Sequence, residues 1–293
     1  MEILVTEKSK DYELLDSGEG EKLERYGQYV LRRPDPQVLW AKSLSKKEWE
    51  GADSTYVRSG ASGKWLKPLE NWQITLEELT FNVSLLPSKH LGVFPEQVGQ
   101  WKWLEGKIKR DTNIRIHANN TNRIKVLNLF AYTGGATMAC ARAGAEVYHI
   151  DSSKFAVDLA RKNLKDSGLE EKPVRFIVDD VRKFVEREIK RGNKYDVILL
   201  DPPVYGKGVK KEVWKIENDL LPFLKRVKSV LSKDPIAIVL NGYASNYSAE
   251  TYKQVLEDLT KDLGGKTACG ELSIKETNTH RLLTAGIFAR WFI

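Results

Sequence analysis

Apolar runs and amphipathic stretches alternate along the second half of the chain. The runs are short and rich in Val, Ile and Leu, which is typical of strands covered on both faces. They cover residues 124–130, 147–151, 174–180, 195–201 and 235–242. Helical periodicity predicts helices between and after them, at residues 136–143, 153–167, 180–191, about 210–232 and 248–263. This alternation predicts βαβ units and a mostly parallel sheet with helices on both faces.

The end of the chain follows a different pattern. Residues 271–276 and 282–293 both have the pattern of strands, and no helical segment separates them. Strands joined in this way pair antiparallel, so we expect a hairpin at one edge of the parallel sheet. The fold class predicted for this half is α/β, with a doubly wound, Rossmann-like sheet that ends in an antiparallel hairpin.

The first part of the chain is predicted to form a small β-rich domain. Short β-type runs at residues 1–6, 28–37 and 72–86 are separated by turn-forming residues, so one or two hairpins are expected. A stretch from Glu96 to about Lys109 carries apolar residues at helical spacing. This helix would lie close to the boundary between the two predicted domains.

Charge is distributed unevenly over these domains, which we place at residues 1–105 and 106–293. The chain as a whole has a net charge of +7. Residues 1–105 contain 14 basic and 17 acidic groups, a net of −3, and residues 106–293 contain 33 basic and 23 acidic groups, a net of +10. A basic domain favours a polyanionic partner such as RNA, and a lysine-rich solvated surface is the alternative interpretation.

The composition excludes several classes of protein. The 293 residues are 41% hydrophobic and 30% charged, which indicates a folded chain. Cys140 and Cys269 are too few for a disulfide framework, and no CxxC pair is present to hold zinc. The first residues lack the pattern of a signal peptide, and no apolar run approaches the ~18 residues of a membrane span. We expect a cytoplasmic protein with no metal, no disulfide partner and no membrane contact.

Candidate ligand contacts follow the strands, because ligands of doubly wound sheets bind beyond the carboxyl ends of the strands. The first strand leads into residues 128–137, which include Gly134 and Gly135. Glycines let the backbone pass close beneath a ligand and enter a helix whose N-terminus is electropositive. The segment has no GxGxxG pattern, which disfavours a tight pyrophosphate turn. An ordinary strand–helix turn is the alternative.

Carboxylates follow the next two strands. Asp151 ends the second strand, where a carboxylate can accept hydrogen bonds from both hydroxyl groups of a ribose, as in sites for NAD and for S-adenosylmethionine. Asp179 and Asp180 end the third strand, and the second of these is suited to accept from an adenine amino group. At both strand ends, capping of the following helix is the competing role.

The fourth strand ends in Asp201, Pro202 and Pro203, with Tyr205 two residues beyond. Consecutive prolines fix φ twice and remove two backbone donors, which gives a stiff turn with free carbonyl groups. We expect Asp201 and a proline carbonyl to hold a planar amino group or the edge of a base, with the aromatic face of Tyr205 available beside it. A purely structural turn is the alternative.

Together these segments resemble the class I S-adenosylmethionine-dependent methyltransferases, and most closely the bacterial enzymes that modify large-subunit ribosomal RNA. The resemblance is carried by LNLFAYTGGAT at 127–137, HID at 149–151, DD at 179–180 and DPPVYGKG at 201–208. The segment LGVFPEQ at 91–97 is similar to the loop that closes over the cofactor in that group. The resemblance covers about residues 85–293 and implies methylation of RNA with S-adenosylmethionine as methyl donor.

The resemblance also implies roles for individual residues. It implies cofactor contacts for Phe94, Gln97, Asn128, Phe130, Tyr132, Thr133, Gly134, Asp151, Ser152 and Asp180. It implies positioning of the methyl acceptor by Asp201, Pro202 and Pro203, and Tyr205 joins these catalytic candidates because of its aromatic face.

The chain departs from this group in two respects. Members that methylate C5 of cytosine carry a cysteine just past the fourth strand or after the fifth, whereas residues 204–208 and 239–245 contain none. We therefore expect methylation of a base nitrogen without a covalent cysteine intermediate. In addition, the N-terminal RNA-binding module of the group is not evident in residues 1–80.

A run of lysines borders the Asp-Pro-Pro turn. Lys207, Lys210, Lys211 and Lys215 are predicted to contact RNA phosphates, with a solvated helix face as the alternative. Three other activities are alternatives to RNA methylation: methylation of a protein or small molecule, a dinucleotide-dependent oxidoreductase activity, and RNA binding without catalysis. The missing GxGxxG disfavours the oxidoreductase, and the Asp-Pro-Pro turn disfavours a non-catalytic protein.

Overall fold

The computed structural model describes the chain in ranges that together divide into two compact units. The described residues are 1–59, 62–117, 122–207, 213–243 and 247–293. The larger unit comprises Met1–Ile3, Gln100–Glu271 and Gly286–Ile293. The smaller unit comprises Leu4–Gly99 and Leu272–Ala285.

Residues 1–117 contain most of the β-structure of the smaller unit. The strands are β1 (Glu2–Thr6), β2 (Tyr12–Gly18), β3 (Glu21–Tyr26), β4 (Tyr29–Pro34), β5 (Ser54–Ser59), β6 (Ser62–Trp65), β7 (Trp72–Leu76) and β8 (Leu79–Val83). The helices are α1 (Lys46–Glu50) and α2 (Val98–His117), and a 3₁₀ turn, Pro95–Gln97, precedes α2. The helix expected from Glu96 to about Lys109 is therefore confirmed, although it continues further along the chain.

The rest of the chain alternates strands and helices. The strands are β9 (Lys125–Leu129), β10 (Glu146–Asp151), β11 (Val174–Val178), β12 (Val197–Leu200), β13 (Tyr205–Lys207), β14 (Val213–Lys215), β15 (Ala237–Gly242), β16 (Lys266–Lys275) and β17 (Leu282–Phe292). The helices are α3 (Gly135–Arg142), α4 (Lys154–Asp166), α5 (Val181–Arg191), α6 (Ile216–Lys228) and α7 (Ala249–Thr260).

The main sheet has the strand order β1-β16-β17-β15-β12-β9-β10-β11. Strands β15, β12, β9, β10 and β11 are parallel, and β17 pairs antiparallel with β15. The expected doubly wound α/β fold class is confirmed. The chain leaves β9 toward β10 and β11 on one side and returns to β12 on the other, so the switch point lies between β9 and β12.

Two local expectations for this half are corrected by the structure. The helix expected over about 210–232 begins only at Ile216, because the short strands β13 and β14 form an antiparallel hairpin ahead of it. The C-terminal hairpin does not form the outer edge of the sheet, because β1 lies beyond β16. Within the described ranges, no helix combines the length and the apolar character needed to cross a membrane.

The compact units differ from the predicted domains in their limits. The first long segment of the smaller unit ends at Gly99 rather than residue 105, and Leu272–Ala285 is grouped with it. The segment Leu272–Ala285 includes the joined ends of strands β16 and β17, which have 10 and 11 residues. The buried carboxylate of Glu276 then accepts hydrogen bonds from the backbone N–H and the hydroxyl group of Ser17.

The smaller unit is built on a sheet with the order β2-β3-β4-β5-β6 and a separate β7–β8 hairpin. Its centre contains a buried ion pair in which the Arg33 guanidinium donates to Glu24, with Nε 2.9 Å from Oε2. Tyr12 also donates to Glu24, over 2.9 Å. Burial alone would raise the pKa of Glu24, but Arg33 and Lys22 lower it to about 2. The pair therefore stays charged and fixes β3 against β4.

Candidate ligand site at the strand ends of the larger unit

The loop after β9 has an unusual backbone conformation. Phe130, Tyr132 and Gly134 have φ angles of 58°, 48° and 89°. Positive φ is uncommon for residues other than glycine, so the loop depends on external support. Ala131 N–H donates to the carbonyl of Ile150 over 3.1 Å, and the buried Asn163 amide donates to the carbonyl of Thr133 over 3.0 Å. These bonds hold the loop against its neighbours.

Gly134 and Gly135 stand where side chains do not fit. A Cβ atom at Gly134 would lie 3.1 Å from Cβ of Ala160, and one at Gly135 would lie 2.3 Å from the ring of Trp101. Helix α3 begins directly at Gly135. Its first N–H groups, which have no partner within the helix, therefore lie at the strand ends. The glycine turn is thus packed closely against Ala160 and Trp101, and its role beneath a ligand stays a prediction.

The carboxylate of Asp151 accepts backbone hydrogen bonds at the carboxyl end of β10. Its Oδ2 accepts from Tyr132 N–H at 2.9 Å, and its Oδ1 accepts from Ser153 N–H at 2.8 Å. Burial raises the pKa of the Asp151 carboxyl, and the backbone donors, including Ser152 N–H, counteract this effect. Each carboxylate oxygen has more than one acceptor position, so these bonds leave capacity for the two hydroxyl groups of a ribose. Ser153, rather than Asp151, caps α4 with its side chain.

A series of hydrogen-bonded, buried polar side chains connects β9, α3 and β10 next to the glycine turn. The Asn128 amide donates to Thr137 Oγ1 over 2.9 Å, and Thr137 Oγ1 lies 2.9 Å from Nδ1 of His149. All three residues are buried. Burial lowers the pKa of His149 to about 3, so its imidazole is neutral near pH 7. Asn128 is predicted as a cofactor contact, and its amide nitrogen supports α3 in this structure.

The carboxylates after β11 are engaged with α5. Asp180 caps this helix by accepting from the N–H groups of Arg182 and Lys183, at 2.9 and 3.2 Å. Its second oxygen lies 3.0 Å from the guanidinium of Arg182. Asp179 pairs with Arg187. The capping role considered for Asp180 is therefore present, and its role toward an adenine stays a prediction.

The Asp-Pro-Pro turn leaves β12 next to the glycine loop. Asp201 N–H donates to the carbonyl of Leu129 over 3.3 Å. Pro202 is buried, whereas Pro203 and Tyr205 are exposed, and Tyr205 retains 52% of its accessible surface. Tyr205 therefore presents an aromatic surface to solvent beside the turn, and its role toward a methyl acceptor stays a prediction.

Sequence reasoning missed the residue that contacts both loops. Trp214 donates its indole N–H to the carbonyl of Pro203 over 2.7 Å. Its ring packs edge-on against Phe130, with 5.0 Å between the centroids. An apolar residue in a predicted helix gives no sign of such contacts, since a regular amphipathic pattern explains it equally well.

The predicted lysine run is only partly described. Lys210 and Lys211 lie outside the described residues, and for Lys207 the structure describes the backbone, as part of β13. Lys215 is exposed and lies opposite Tyr205 in the β13–β14 pairing. One lysine of the run thus lies beside the Asp-Pro-Pro turn.

Phe94 and Gln97 belong to the smaller unit. Phe94 packs edge-on against His90, with ring centroids 5.2 Å apart, and Gln97 is buried at the end of the 3₁₀ turn. Their role over a cofactor stays a prediction. The two cysteines are buried, as expected, and burial raises the pKa of both thiols.

Comparisons with known proteins give consistent matches. Residues 106–235 match the family described as "Conserved hypothetical protein 95". A protein of Aeromonas hydrophila named "Ribosomal RNA large subunit methyltransferase I" is 39% identical over 94 residues, which cover 32% of this chain and 24% of that protein. A Klebsiella pneumoniae protein of the same name is 39% identical over 82 residues, or 28% and 20% of the two chains. The matched part thus spans about a quarter or less of these relatives.

A solved structure matches the whole chain. The crystal structure of a SAM-dependent methyltransferase from Agrobacterium tumefaciens is 36% identical, with a TM-score of 0.91. The match covers 100% of this chain and 93% of the other. The fold and both units therefore have a counterpart in one solved protein.

Proposed function

Because this chain belongs to the S-adenosylmethionine-dependent methyltransferases, we propose that it methylates a base nitrogen of RNA, with ribosomal RNA as the expected substrate. The family assignment rests on the Agrobacterium relative, which matches the chain over its full length. The observation that carries the proposal is the adjacency of the glycine loop after β9 and the Asp-Pro-Pro turn after β12. The second element would hold the acceptor next to a cofactor bound by the first.

The residues of the larger unit fit the cofactor. Gly134 and Gly135 let the turn after β9 pack directly on Ala160 and Trp101, and Asp151 is a carboxylate with acceptor capacity at the next strand end. When bound, S-adenosylmethionine supplies a methyl group that its sulfonium already activates. The proposed contacts in this unit are Asn128, Phe130, Tyr132, Thr133, Gly134, Asp151, Ser152 and Asp180. Cofactor contacts from Phe94 and Gln97, which belong to the smaller unit, stay a prediction from the resemblance.

The main task of the protein in this reaction is to align the acceptor nitrogen with the methyl group. A neutral amino or ring nitrogen would attack the methyl carbon through its lone pair as the carbon–sulfur bond breaks, which leaves S-adenosylhomocysteine, and an amino nitrogen would then lose a proton to solvent. The direction and distance of the lone pair therefore decide the rate. We assign orientation of this nitrogen to Asp201 and the carbonyl of Pro202, because the carbonyl of Pro203 already accepts from Trp214. The exposed ring of Tyr205 would stack on the base, which must leave any duplex to reach it.

No cysteine supports a covalent route in this proposal. Both thiols are buried, and burial raises their pKa, which disfavours the thiolate that would have to attack a base. Cys140 lies within α3, and Cys269 lies on β16. Neither follows β12 or β15, where a nucleophile of this kind is expected.

Charge and relatives support RNA as substrate. The larger unit carries 32 basic and 24 acidic groups, a net of +8, whereas the smaller unit carries 15 and 16, a net of −1. The basic unit is thus the one that contains the candidate site. The curated relatives are named for ribosomal RNA of the large subunit, and we extend this substrate class to the present chain.

The proposal is tested by methyl transfer to RNA. Ribosomal RNA from cells that lack the gene is incubated with the protein and radiolabelled S-adenosylmethionine, and the modified nucleoside is identified by mass spectrometry. Asp201→Ala should lower turnover at least about a hundredfold while RNA affinity stays nearly unchanged, because the residue orients the acceptor. Asp234→Ala is the control, since Asp234 is an exposed carboxylate near the opposite end of the sheet.

The lysine run provides a separate test of the substrate class. Lys207, Lys210 and Lys211 are changed together to Gln, and RNA affinity is measured at several salt concentrations. Each lost phosphate contact should reduce the salt slope by about 0.7, so we expect a decrease of about two units and unchanged cofactor affinity. If affinity and slope stay at wild-type values and label enters protein instead of RNA, a protein substrate replaces the proposal.

A further inference from the structure

Trp214 lies between the two loops of the candidate site and contacts each of them. Its side chain is almost fully buried, with 5% of the residue's surface exposed. The indole N–H donates to the carbonyl of Pro203, while the ring packs on Phe130 at 5.0 Å and on Phe223 at 5.7 Å. A buried indole N–H generally has a partner, and here the partner belongs to the Asp-Pro-Pro turn.

The turn needs an anchor of this kind. Pro202 and Pro203 have no N–H groups, so neither can donate a backbone hydrogen bond that would fix the turn from within. Asp201 N–H holds its beginning through the carbonyl of Leu129. Ile216 N–H holds its end by donating to the carbonyl of Val204 over 3.0 Å. The bond from Trp214 fixes the point between them.

The strand that carries Trp214 is itself fixed. Arg182, at the start of α5, donates to the carbonyl of Val213 over 3.1 Å, and it also pairs with Asp180. Trp214 pairs with Gly206 in the β13–β14 hairpin. The indole therefore projects from a supported strand toward Phe130, whose own backbone has a φ of 58°.

We propose that Trp214 is a positioning residue that fixes the distance between the acceptor turn and the cofactor loop. Through Pro203 it sets the position of Asp201 and Tyr205, and through Phe130 it sets the loop that would hold the cofactor. This role rests on the proposed function. Because a shift of about 1 Å between reacting groups can lower a rate about a hundredfold, losing the indole N–H should impair turnover far more than binding.

The first experiment measures the turn directly and needs no substrate. Trp214→Phe keeps an aromatic ring and removes the N–H donor. Trp291→Phe is the matched control, because Trp291 is also buried and donates to the carbonyl of Gly264 over the same 2.7 Å, on β17 rather than at the strand ends. Hydrogen exchange should become about fivefold faster at the amides of Val204 to Lys207 in Trp214→Phe and stay unchanged there in Trp291→Phe.

The second experiment measures binding and turnover. For Trp214→Phe we expect kcat on ribosomal RNA to fall at least about tenfold, with the Kd of S-adenosylhomocysteine within about twofold of wild type. Trp291→Phe should lose similar thermal stability and keep its kcat. Replacing Trp214 by 3-benzothienylalanine, which has sulfur in place of the N–H, should reproduce the loss with the ring shape preserved.

The outcomes separate the two proposals. Equal exchange at the turn in Trp214→Phe and Trp291→Phe would overturn the positioning role, as would equal kcat values. If wild-type protein methylates no RNA, the proposed function fails, and the exchange experiment still decides whether Trp214 fixes the turn.

Discussion

Replacing Asp151 by alanine tests the cofactor site through a single carboxylate. In the structure this carboxylate accepts from the N–H groups of Tyr132 and Ser153, at 2.9 and 2.8 Å. Its remaining acceptor capacity is what a ribose would use. The substitution should therefore weaken cofactor binding and, separately, remove the acceptor of the Tyr132 and Ser153 N–H groups.

The expected magnitudes follow from these contacts. Hydrogen bonds to a charged group contribute about 1.5–3 kcal/mol each, so loss of one ribose bond weakens binding about tenfold and loss of two about a hundredfold. The two backbone donors should cost about 1 kcal/mol each in stability. For a unit of this size each kcal/mol lowers Tm by about 2–4 °C.

Calorimetry with S-adenosylhomocysteine measures the binding effect. Asp151→Asn retains one acceptor oxygen and should give an intermediate Kd, while Asp158→Ala removes an exposed carboxylate from the following helix and should leave Kd unchanged. Burial raises the pKa of Asp151, so wild-type affinity should decline as pH falls through that pKa, and the Asn variant should not follow it. A wild-type Kd in Asp151→Ala would refute the assignment.

Three further predictions concern buried groups. Glu24→Gln leaves Arg33 buried without its carboxylate, so denaturant unfolding should show a loss of about 3–5 kcal/mol, and an unchanged midpoint would contradict the ion pair's role. Burial lowers the pKa of His149 from 6.5 to about 3, so stability should decrease as pH falls between these values, and His149→Gln should flatten the Tm profile there. Changing Cys140 and Cys269 to Ala should keep turnover within a few-fold, whereas trapping of the enzyme by RNA that contains 5-fluorocytosine would show a covalent route.

The sequence predicts the parallel strands because their pattern is local. Val126, Leu127 and Leu129 belong to an apolar run that Asn128 interrupts, and burial on both faces of a sheet is the condition that produces such a run. Once the strands are assigned, the residues after them must lie at one edge. The order of strands along the chain is therefore enough to identify Asp151 and Asp201 as candidate site residues.

The smaller unit is harder to predict because its strands carry many charges. Strand β3 reads EKLERY, and its polar residues Lys22 and Glu24 are buried through ion pairs that no local pattern indicates. The β7–β8 hairpin is expected, but its two-residue turn places Glu77 and Glu78 at positive φ, where glycine or asparagine is usual. Tertiary pairing has overridden local preference in both cases.

The details of the candidate site depend on contacts between distant residues. Trp214 meets Phe130 across 84 positions in the sequence, and the interaction decides how two loops face each other. Apolar periodicity assigns Trp214 to a face of a helix, whereas the structure places it on β14. A short strand directly before a helix has too few residues for its own period to be recognised.

The arrangement of β9 and β12 explains why alignment can be the protein's main contribution. Leu129 and Leu200 are register partners at the ends of these strands, and Asp201 N–H donates to the carbonyl of Leu129. The glycine loop and the Asp-Pro-Pro turn thus begin beside the hydrogen bond between Asp201 and Leu129, and both contact Trp214 further along. The hydrogen bond between Asp201 and Leu129 and the contacts of Trp214 link the two segments at two points, which restricts how far they can move apart. Such restriction favours a reaction in which a lone pair must approach an activated methyl group in line. This reaction requires no strong base.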